Sequence, residues 1–383
     1  MKIVADAGIR FVREYFSSIG EVKMVPGLDI TPAVVRDADA LIVRTITRVD
    51  GQLLAGSRLS FAATSTTGFD HLDLNYLREH NIGFAWGPGS NANSVAEYVV
   101  AAMLESADNG GFNLQDKSIG VIGVGNIGAN VAQKAASLGM NVYLNDPPLQ
   151  KQTRDSKYLP LEELFDCDFI TLHTPLNREG TDKTFHLANE KFFKSLKPGC
   201  IFINTARGAV TDTTALKAAI NAGKLKAVII DVWENEPNID TQLLEMVDIG
   251  TPHIAGYSLD GKLAAVMMVY TKACEHFGIE PKYTFESFLP EPDLPQLKVN
   301  GKGCADEKLL LEAVRKVYDV KEDDRQLRPI LDKPAEKHAE YFEKLRSDYH
   351  IRREFHGTEI ILDGGAESLA DKFAGIGFQV RHP

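Results

Sequence analysis

Apolar positions along the chain follow two alternating rhythms. Short unbroken runs, Ile3 to Ala5, Ala40 to Val43, Phe61 to Thr64 and Gly83 to Trp86, read as strands buried on both faces. Between them, Gly8 to Ser18, Val49 to Leu54 and Leu72 to Glu79 carry apolar residues at helical spacing. Such alternation predicts a doubly wound, mainly parallel sheet. A turn-rich stretch, Pro88 to Asn93, and a long helix from Ser94 to Ala107 separate this region from a second one of the same kind. There the expected strands are Asn141 to Asn145, Phe169 to His173, Ile201 to Asn204 and Ala227 to Val232. A run around Ile119 to Ile122 precedes them, a helix starts after Asp212, and another covers Leu259 to Phe277. From Pro281 the rhythm changes. Four prolines between Pro281 and Pro295 suggest a linker. After it come a helix (Asp306 to Val317), a charged helix (Ala335 to Asp348), a strand (Phe355 to Leu362) and a last strand over Gly375 to Val380, a small α+β module.

One stretch in the second region carries chemistry. Lys117 to Asp146 runs from an apolar strand into Gly123-Val124-Gly125-Asn126-Ile127-Gly128, then a helix ended by Gly139, then a second strand ending at Asp146. Gly123 permits a tight turn, Gly125 lets a pyrophosphate approach the backbone, and Gly128 lets the helix pack on the strand. The helix N-terminus offers N–H groups and partial positive charge to that pyrophosphate. Asp146 accepts hydrogen bonds from ribose hydroxyls and repels a 2′-phosphate, so NAD is expected rather than NADP.

Composition narrows the class. At 383 residues, with 44% hydrophobic and 25% charged, the chain is expected to form two or three globular domains. The net charge of −11 disfavours nucleic acid as a partner. Cys167, Cys200, Cys274 and Cys304 form no CxxC pair and read as free thiols of a reducing cytoplasm. No run is long enough to span a membrane, and the N-terminus lacks a signal-peptide pattern.

In open parallel sheets the reactive groups sit on loops at the carboxyl ends of strands. Arg207, Glu236 and His253 follow successive strands of the second sheet. Oxidation of a 2-hydroxy acid sends the C2 hydride to nicotinamide and the hydroxyl proton to a base. His253 suits the base, Glu236 the carboxylate that orients it, and Arg207 the planar cation that holds the substrate carboxylate. No metal is called for. In the first sheet, Arg44-Thr45-Ile46-Thr47-Arg48 and Ser65-Thr66-Thr67-Gly68-Phe69-Asp70 occupy the corresponding loops and offer cations, hydroxyls and backbone N–H groups to an anion.

The stretches GVIGVGNIG, INTARGAVTD, DVWENEP and TPHIAGYS, in that order, closely resemble the D-isomer-specific 2-hydroxyacid dehydrogenases. The resemblance covers about Met1 to Phe277. It implies His253 as acid/base, Glu236 as its partner and Arg207 as substrate-binding arginine. It also implies NAD contacts from Asn126, Ile127, Asp146, Thr174, Thr205, Ala206, Arg207, Asp231 and Gly256, and two chain crossings between lobes around a cleft. The expected architecture is two doubly wound parallel-sheet domains, a Rossmann-like cofactor domain (94–255) inserted in a substrate lobe (1–93 and 256–280), plus the α+β module (281–383). VRTITRVD, STTGFDHLD, AGYSLDGK and the C-terminal module resemble one branch of that family, which implies a phosphorylated hydroxy-acid substrate, contacts from Thr45, Thr66 and Tyr257, and a homodimer formed through the C-terminal domain. Position 45, commonly Ser in that branch, is Thr here. Arg44, Arg48, Arg346, Arg352 and Arg353 are candidate cations for the phosphate. Two alternatives stay open: a relative acting on another hydroxy acid such as 3-phosphoglycerate, and a non-enzymatic NAD-sensing scaffold of the same fold.

Overall fold

The computed structural model describes residues 1–302 and 306–381. The chain groups into two compact units, Met1–Asn91 with Ser258–Glu291, and Ala92–Tyr257 with Pro292–Pro383.

The first unit is built on five strands: β1 (Lys2–Asp6), β2 (Glu21–Val25), β3 (Ala40–Val43), β4 (Phe61–Thr64) and β5 (Gly83–Ala85). They pair in the order β2-β1-β3-β4-β5, every neighbour parallel. Alternate residues feed opposite faces. Ile3, Ala5, Ile42 and Phe61 pack with Val12, Tyr15, Val266 and Tyr270. Val4, Leu41, Val43 and Ala62 pack with Leu53, Leu54 and Leu77. Burial on both faces is why these strands read as continuous apolar runs. The helix Leu259–Phe277, which begins just past the return of the chain at Ser258, supplies much of the first face.

The second unit holds six strands: β6 (Ser118–Ile122), β7 (Asn141–Asn145), β8 (Phe169–Leu172), β9 (Cys200–Asn204), β10 (Leu225–Ile230) and β11 (Ile249–Gly250). Their order is β11-β10-β9-β8-β6-β7, again all parallel. The reversal of direction falls between β6 and β8, where a doubly wound sheet opens a crevice. Three further strands, β12 (Gln296–Asn300), β13 (Glu359–Asp363) and β14 (Gln379–Arg381), form a separate parallel sheet. The C-terminal segment joins both cores of this unit. Leu310, Val314, Phe355 and Phe373 share one with Val99, Val121 and Val131, and Leu327, Ile330 and Phe342 share the other with Ile170 and Phe202.

Several elements differ from their expected bounds. Gly8 to Phe11 turns before the helix Val12–Phe16, because the Asp6 carboxylate draws in the Gly8 N–H at 2.8 Å and Phe11 takes a left-handed φ of 61°. The expected strand over Gly375 to Val380 is instead the end of the helix Ala370–Ile376, a turn at Gly377 (φ 121°), and β14. Phe355 to Gly357 is a single 3-10 turn ahead of β13, and the charged helix is shortened to His338–Ser347. Cys167, Cys200 and Cys274 are buried free thiols; burial pushes Cys167 up to about 11 and Cys200 to about 12. Cys304 lies outside the described residues.

Candidate active site

The glycine loop after β6 has three differently built positions. Gly123 takes a φ of 87° and donates its N–H to the Asn145 carbonyl at 2.8 Å. At Gly128 a Cβ would lie 1.9 Å from the Gly123 carbonyl oxygen, so the helix Asn126–Ser137 can start this close only without a side chain there. At Gly125 a Cβ would meet nothing within 4 Å, which leaves the loop open toward a ligand. No side chain caps this helix, so its first N–H groups keep their capacity for a pyrophosphate. Asp146 braces the same loop: one carboxylate oxygen accepts the Val124 N–H at 2.8 Å, the other the Leu149 N–H at 2.9 Å. A carboxylate has lone pairs beyond these two, so ribose hydroxyls fit as further donors. The Thr174 hydroxyl oxygen is buried without a hydrogen-bond partner among the described residues. The open Gly125 face, the uncapped helix and this orphaned hydroxyl together fit a bound dinucleotide.

Sequence reasoning missed His173, which ends the same strand region. Its ring nitrogens lie 2.9 Å from the Thr171 hydroxyl and 3.3 Å from that of Thr205. Burial pushes it down to about 3, so it is a neutral hydrogen-bonding wedge behind the Thr174–Thr205 edge.

Arg207, Glu236 and His253 follow β9, β10 and β11, which are neighbours in the sheet. The Arg207 side chain is exposed, and its Nη1 donates to the Ala206 carbonyl at 2.7 Å. Asn204 shapes that turn by donating to the Arg207 carbonyl and to Thr211, and by accepting the Ala206 N–H. Gly208 follows because a Cβ there would sit 1.9 Å from the Trp233 carbonyl oxygen. The arginine loop and the glutamate loop therefore touch backbone to backbone. Glu236 accepts the Trp233 N–H at 2.7 Å with one oxygen and meets His253 Nδ1 at 2.7 Å with the other. Burial alone would raise Glu236; the bond and charge of His253, the Trp233 N–H and the charge of Arg346 overcome it and hold the carboxyl below its usual range. His253 stands in the left-handed region, φ 56°, with its N–H on the Asp231 carbonyl at 2.8 Å. Asp231, 1% exposed, ties down the rest of the histidine loop: it accepts the Thr251 hydroxyl at 2.7 Å and the N–H groups of Ile254 and Ala255 at 2.8 and 3.1 Å. Burial raises Asp231 against those bonds.

Gly256 and Tyr257 end this loop, both half-buried. Arg346 from the C-terminal segment donates its Nη2 to the Tyr257 hydroxyl at 3.1 Å. The other expected phosphate cations are placed differently. Arg352 gives Nη1 to the Ala255 carbonyl and Nη2 to the Ser94 carbonyl, and stacks 3.8 Å from the centre of the Tyr318 ring. Those backbone bonds make it a brace of the fold. Arg353 is buried.

In the first unit, Thr45 is exposed and Thr66 half-buried. The Thr66 hydroxyl is engaged within its own loop, donating to the Gly68 carbonyl at 2.8 Å and lying 2.7 Å from the Thr64 hydroxyl. Arg44 pairs with the buried Asp6 at 2.8 Å, and Arg48 pairs with Asp50 at 2.8 Å on the surface. Lys262, which sequence reasoning also missed, shares this neighbourhood. Burial, then the charges of Arg10 and Arg44, push it down to about 8.

Residues 90–255 match the family model of the D-isomer specific 2-hydroxyacid dehydrogenase, NAD binding domain, and residues 288–377 match a model described as a domain of unknown function. Erythronate-4-phosphate dehydrogenases of Escherichia fergusonii and Shigella boydii are each 42% identical to the chain over 385 aligned positions, covering 100% of both proteins. Among solved structures, the NAD-bound 3-phosphoglycerate dehydrogenase of Entamoeba histolytica is 26% identical, with a TM-score of 0.60, over 76% of this chain and 99% of its own. The NAD-dependent formate dehydrogenase of Staphylococcus aureus, in complex with NAD, is also 26% identical, with a TM-score of 0.57, over 74% and 97%.

Proposed function

Because the chain belongs to the erythronate-4-phosphate dehydrogenase family, we propose that it oxidises 4-phospho-D-erythronate to (R)-3-hydroxy-2-oxo-4-phosphooxybutanoate in pyridoxal 5′-phosphate biosynthesis. The observation that carries the chemistry is the 2.7 Å contact between His253 Nδ1 and the Glu236 carboxylate, beside the arginine loop. Bound NAD supplies the hydride acceptor. With Nδ1 committed to Glu236, His253 Nε2 takes the C2 hydroxyl proton, and Glu236 stabilises the imidazolium that results. Arg207 holds the substrate carboxylate and the C2 oxygen as it becomes a carbonyl. Gly123, Gly125, Asn126, Ile127 and Gly128 seat the pyrophosphate and Asp146 the ribose, with Thr174, Thr205, Ala206, Asp231 and Gly256 along the remaining edge. Thr45, Thr66 and Tyr257 supply hydroxyls to the substrate.

On this reading residues 1–93 with 256–280 serve the substrate, 94–255 the cofactor, and 281–383 pair two copies in a cytoplasmic homodimer. Light scattering that gives the mass of one chain overturns the pairing. No helix among the described residues is long and apolar enough to cross a membrane.

The test is NADH formation from NAD with 4-phospho-D-erythronate or 3-phospho-D-glycerate, with His253→Ala as control. The expected result is turnover of the erythronate that falls by about 1,000-fold in the variant, the scale of a lost general base. Preference for the glycerate keeps the mechanism and overturns the substrate. NAD binding without turnover of either favours a different hydroxy acid or the scaffold reading.

A further inference from the structure

We propose that Asp324 is a positioning residue of this reaction: from the C-terminal segment it takes the place of a missing strand beside β11, and so fixes the loop that carries His253 against Glu236. The proposal rests on the function proposed above for its reaction, and on the geometry alone for the loop.

β11 is two residues long and lies at the edge of its sheet, beside β10. Thr251 gives its N–H to the Ile230 carbonyl of β10 at 2.9 Å, so the N–H of the preceding Gly250 points away from β10. At an ordinary edge that group would be left to water or to a further strand. Here Gly250 is buried, and the Asp324 carboxylate takes its N–H at 2.8 Å. Asp324 belongs to the helix Val320–Leu327, 74 positions further along the chain, and is 9% exposed. Arg328 holds the carboxylate in place. Its Nε and Nη2 reach Asp324 at 2.9 and 2.8 Å, while Nη1 and Nη2 donate to the Leu244 and Val247 carbonyls, both at 3.0 Å. An ion pair four positions apart on one helix forms equally well facing solvent, where it contributes little; this one is turned inward onto a strand. Gly250 has no room to slide away from it. A Cβ there would lie 2.6 Å from the Leu244 side chain and 3.0 Å from the Trp233 ring.

The same helix reaches the other end of the loop. Asp323, next to Asp324, accepts the hydroxyls of Tyr318 and Tyr349, both at 2.8 Å. The Tyr318 ring centre lies 3.8 Å from the guanidinium carbon of Arg352, whose Nη1 donates to the Ala255 carbonyl at 3.2 Å. Adjacent acids of one helix thus address both ends of the stretch from Gly250 to Ala255. Between those ends His253 keeps a φ of 56°, a conformation that a residue with a side chain holds only where its surroundings impose it. His253 lies three residues past Gly250, so a displacement of β11 passes into the 2.7 Å contact with Glu236. Proton transfer is sensitive to misplacement on the order of 1 Å.

The experiment compares wild type, Asp324→Ala, Asp324→Asn and Asp324→Glu in the full-length protein. Two readouts are taken: kcat and KM for the phosphorylated acid, and the far-downfield Nδ1 proton resonance of His253, the NMR signature of an imidazole bonded to a carboxylate, without substrate. Asp324→Ala is expected to lower kcat roughly 10-fold with KM little changed, a partial form of the cost of misplacement, and to broaden or lose the resonance. Asp324→Asn keeps an acceptor for the Gly250 N–H, so its resonance is expected to stay and its kcat to remain within about 3-fold of wild type. A folded Asp324→Ala with wild-type kcat and an unmoved resonance overturns the proposal. So does equal damage in Asp324→Ala and Asp324→Asn, which would trace the effect to the ion pair with Arg328 and not to the Gly250 bond. If wild type fails to turn over phosphoerythronate, the proposed function falls, while the resonance still decides the inference by the same comparison. Should Asp324→Ala not fold, Asp324→Glu carries the test, because it keeps the charge for Arg328 and moves the acceptor by one carbon: a displaced resonance upholds the proposal and an unmoved one overturns it.

Discussion

The carboxyl ends of the two larger sheets have the same topology and opposite construction. At the ends of β9, β10 and β11 the loops are pinned by buried groups: Asp231 accepts from Thr251, Ile254 and Ala255, Glu236 accepts from Trp233, and Gly208 lies against the Trp233 backbone. At the ends of β3 and β4 the loops are looser. After β3, Thr45 and Ile46 are exposed and the ties are the Thr47 hydroxyl on the Gly27 carbonyl and the Arg44–Asp6 pair; after β4 the ties are hydroxyl bonds at half-buried residues, Thr66 to the Gly68 carbonyl and to Thr64, and Thr67 to Asn91. The first construction suits proton transfer, where the base must be held within a fraction of an ångström. The second suits recognition, where hydroxyls and cations adjust to a ligand. The contrast teaches that a common fold supplies loop positions, and that the number of buried polar bonds each loop makes decides which task it can carry.

The sharpest way to break the contrast is Gly208→Ala. The added Cβ meets the Trp233 carbonyl oxygen at 1.9 Å, and backbone rather than a flexible side chain must move. Separation of the arginine and glutamate loops is expected to lower kcat/KM about 100-fold, since misplacement of about 1 Å costs that much. The accompanying loss of stability should be about 1–3 kcal/mol, the usual range for overpacking. NADH titration and thermal unfolding separate the two. A Gly208→Ala protein with wild-type kcat/KM would show that the two loops need not touch.

The looser loops give smaller effects. Thr66→Val removes a hydroxyl that also holds the Gly68 carbonyl, so it is expected to raise KM for the phosphorylated acid by about 10-fold, the scale of one hydrogen bond. Thr45→Val acts on an exposed residue whose hydroxyl holds no loop group among the described residues, and its rise in KM should be about 3-fold. Both should leave the pH profile of kcat in place. Equal effects at the two positions, or a moved profile, would mean that the first unit's loops are as preorganised as the second's.

Much of this arrangement was legible in the sequence, and the reasons are local. The strand, glycine loop, helix and acid from Lys117 to Asp146 are one contiguous unit, so spacing alone predicts Gly123 at positive φ and Gly128 at a close approach. Glu236 was legible because it follows the clear apolar run Ala227 to Val232; the strand ahead of His253 is only Ile249–Gly250, and that position was marked by the TPHIAGYS motif instead. Failures came where distant segments decide. The bond between Arg346 and Tyr257 spans 89 positions, and no periodicity marks it. His173 looked like the end of a strand; its neutral state follows from burial, which no pattern of single residues displays. At the C-terminus, Gly375 to Val380 alternates like a strand, but Phe373 and Ile376 are drawn into the core shared with Val131, and the helix persists to Ile376. Tertiary burial overrode a short local pattern there.

The smallest effect tests whether the pinned loops are held electrostatically. Glu236 is buried, which raises it, but His253, the Trp233 N–H and Arg346 together leave it below the ordinary glutamate range. Its folded value therefore lies beneath its unfolded one. Ionised Glu236 favours the folded state above the unfolded value, and that contribution disappears as pH falls through the folded value. Glu236→Gln should accordingly make the protein less stable than wild type at neutral pH, with the difference shrinking on acidification through the glutamate range until the two unfold alike. Asp231, raised by burial, has the opposite sign: ionising it opposes folding, so Asp231→Asn should gain relative to wild type as pH rises, set against any hydrogen bond to Ile254 or Ala255 that the amide makes less well. Urea unfolding of the three proteins across the acid range measures both slopes. Parallel curves for wild type and Glu236→Gln would mean that the glutamate loop is held by its backbone contacts alone, and the comparison between the two sheets would then rest on packing rather than charge.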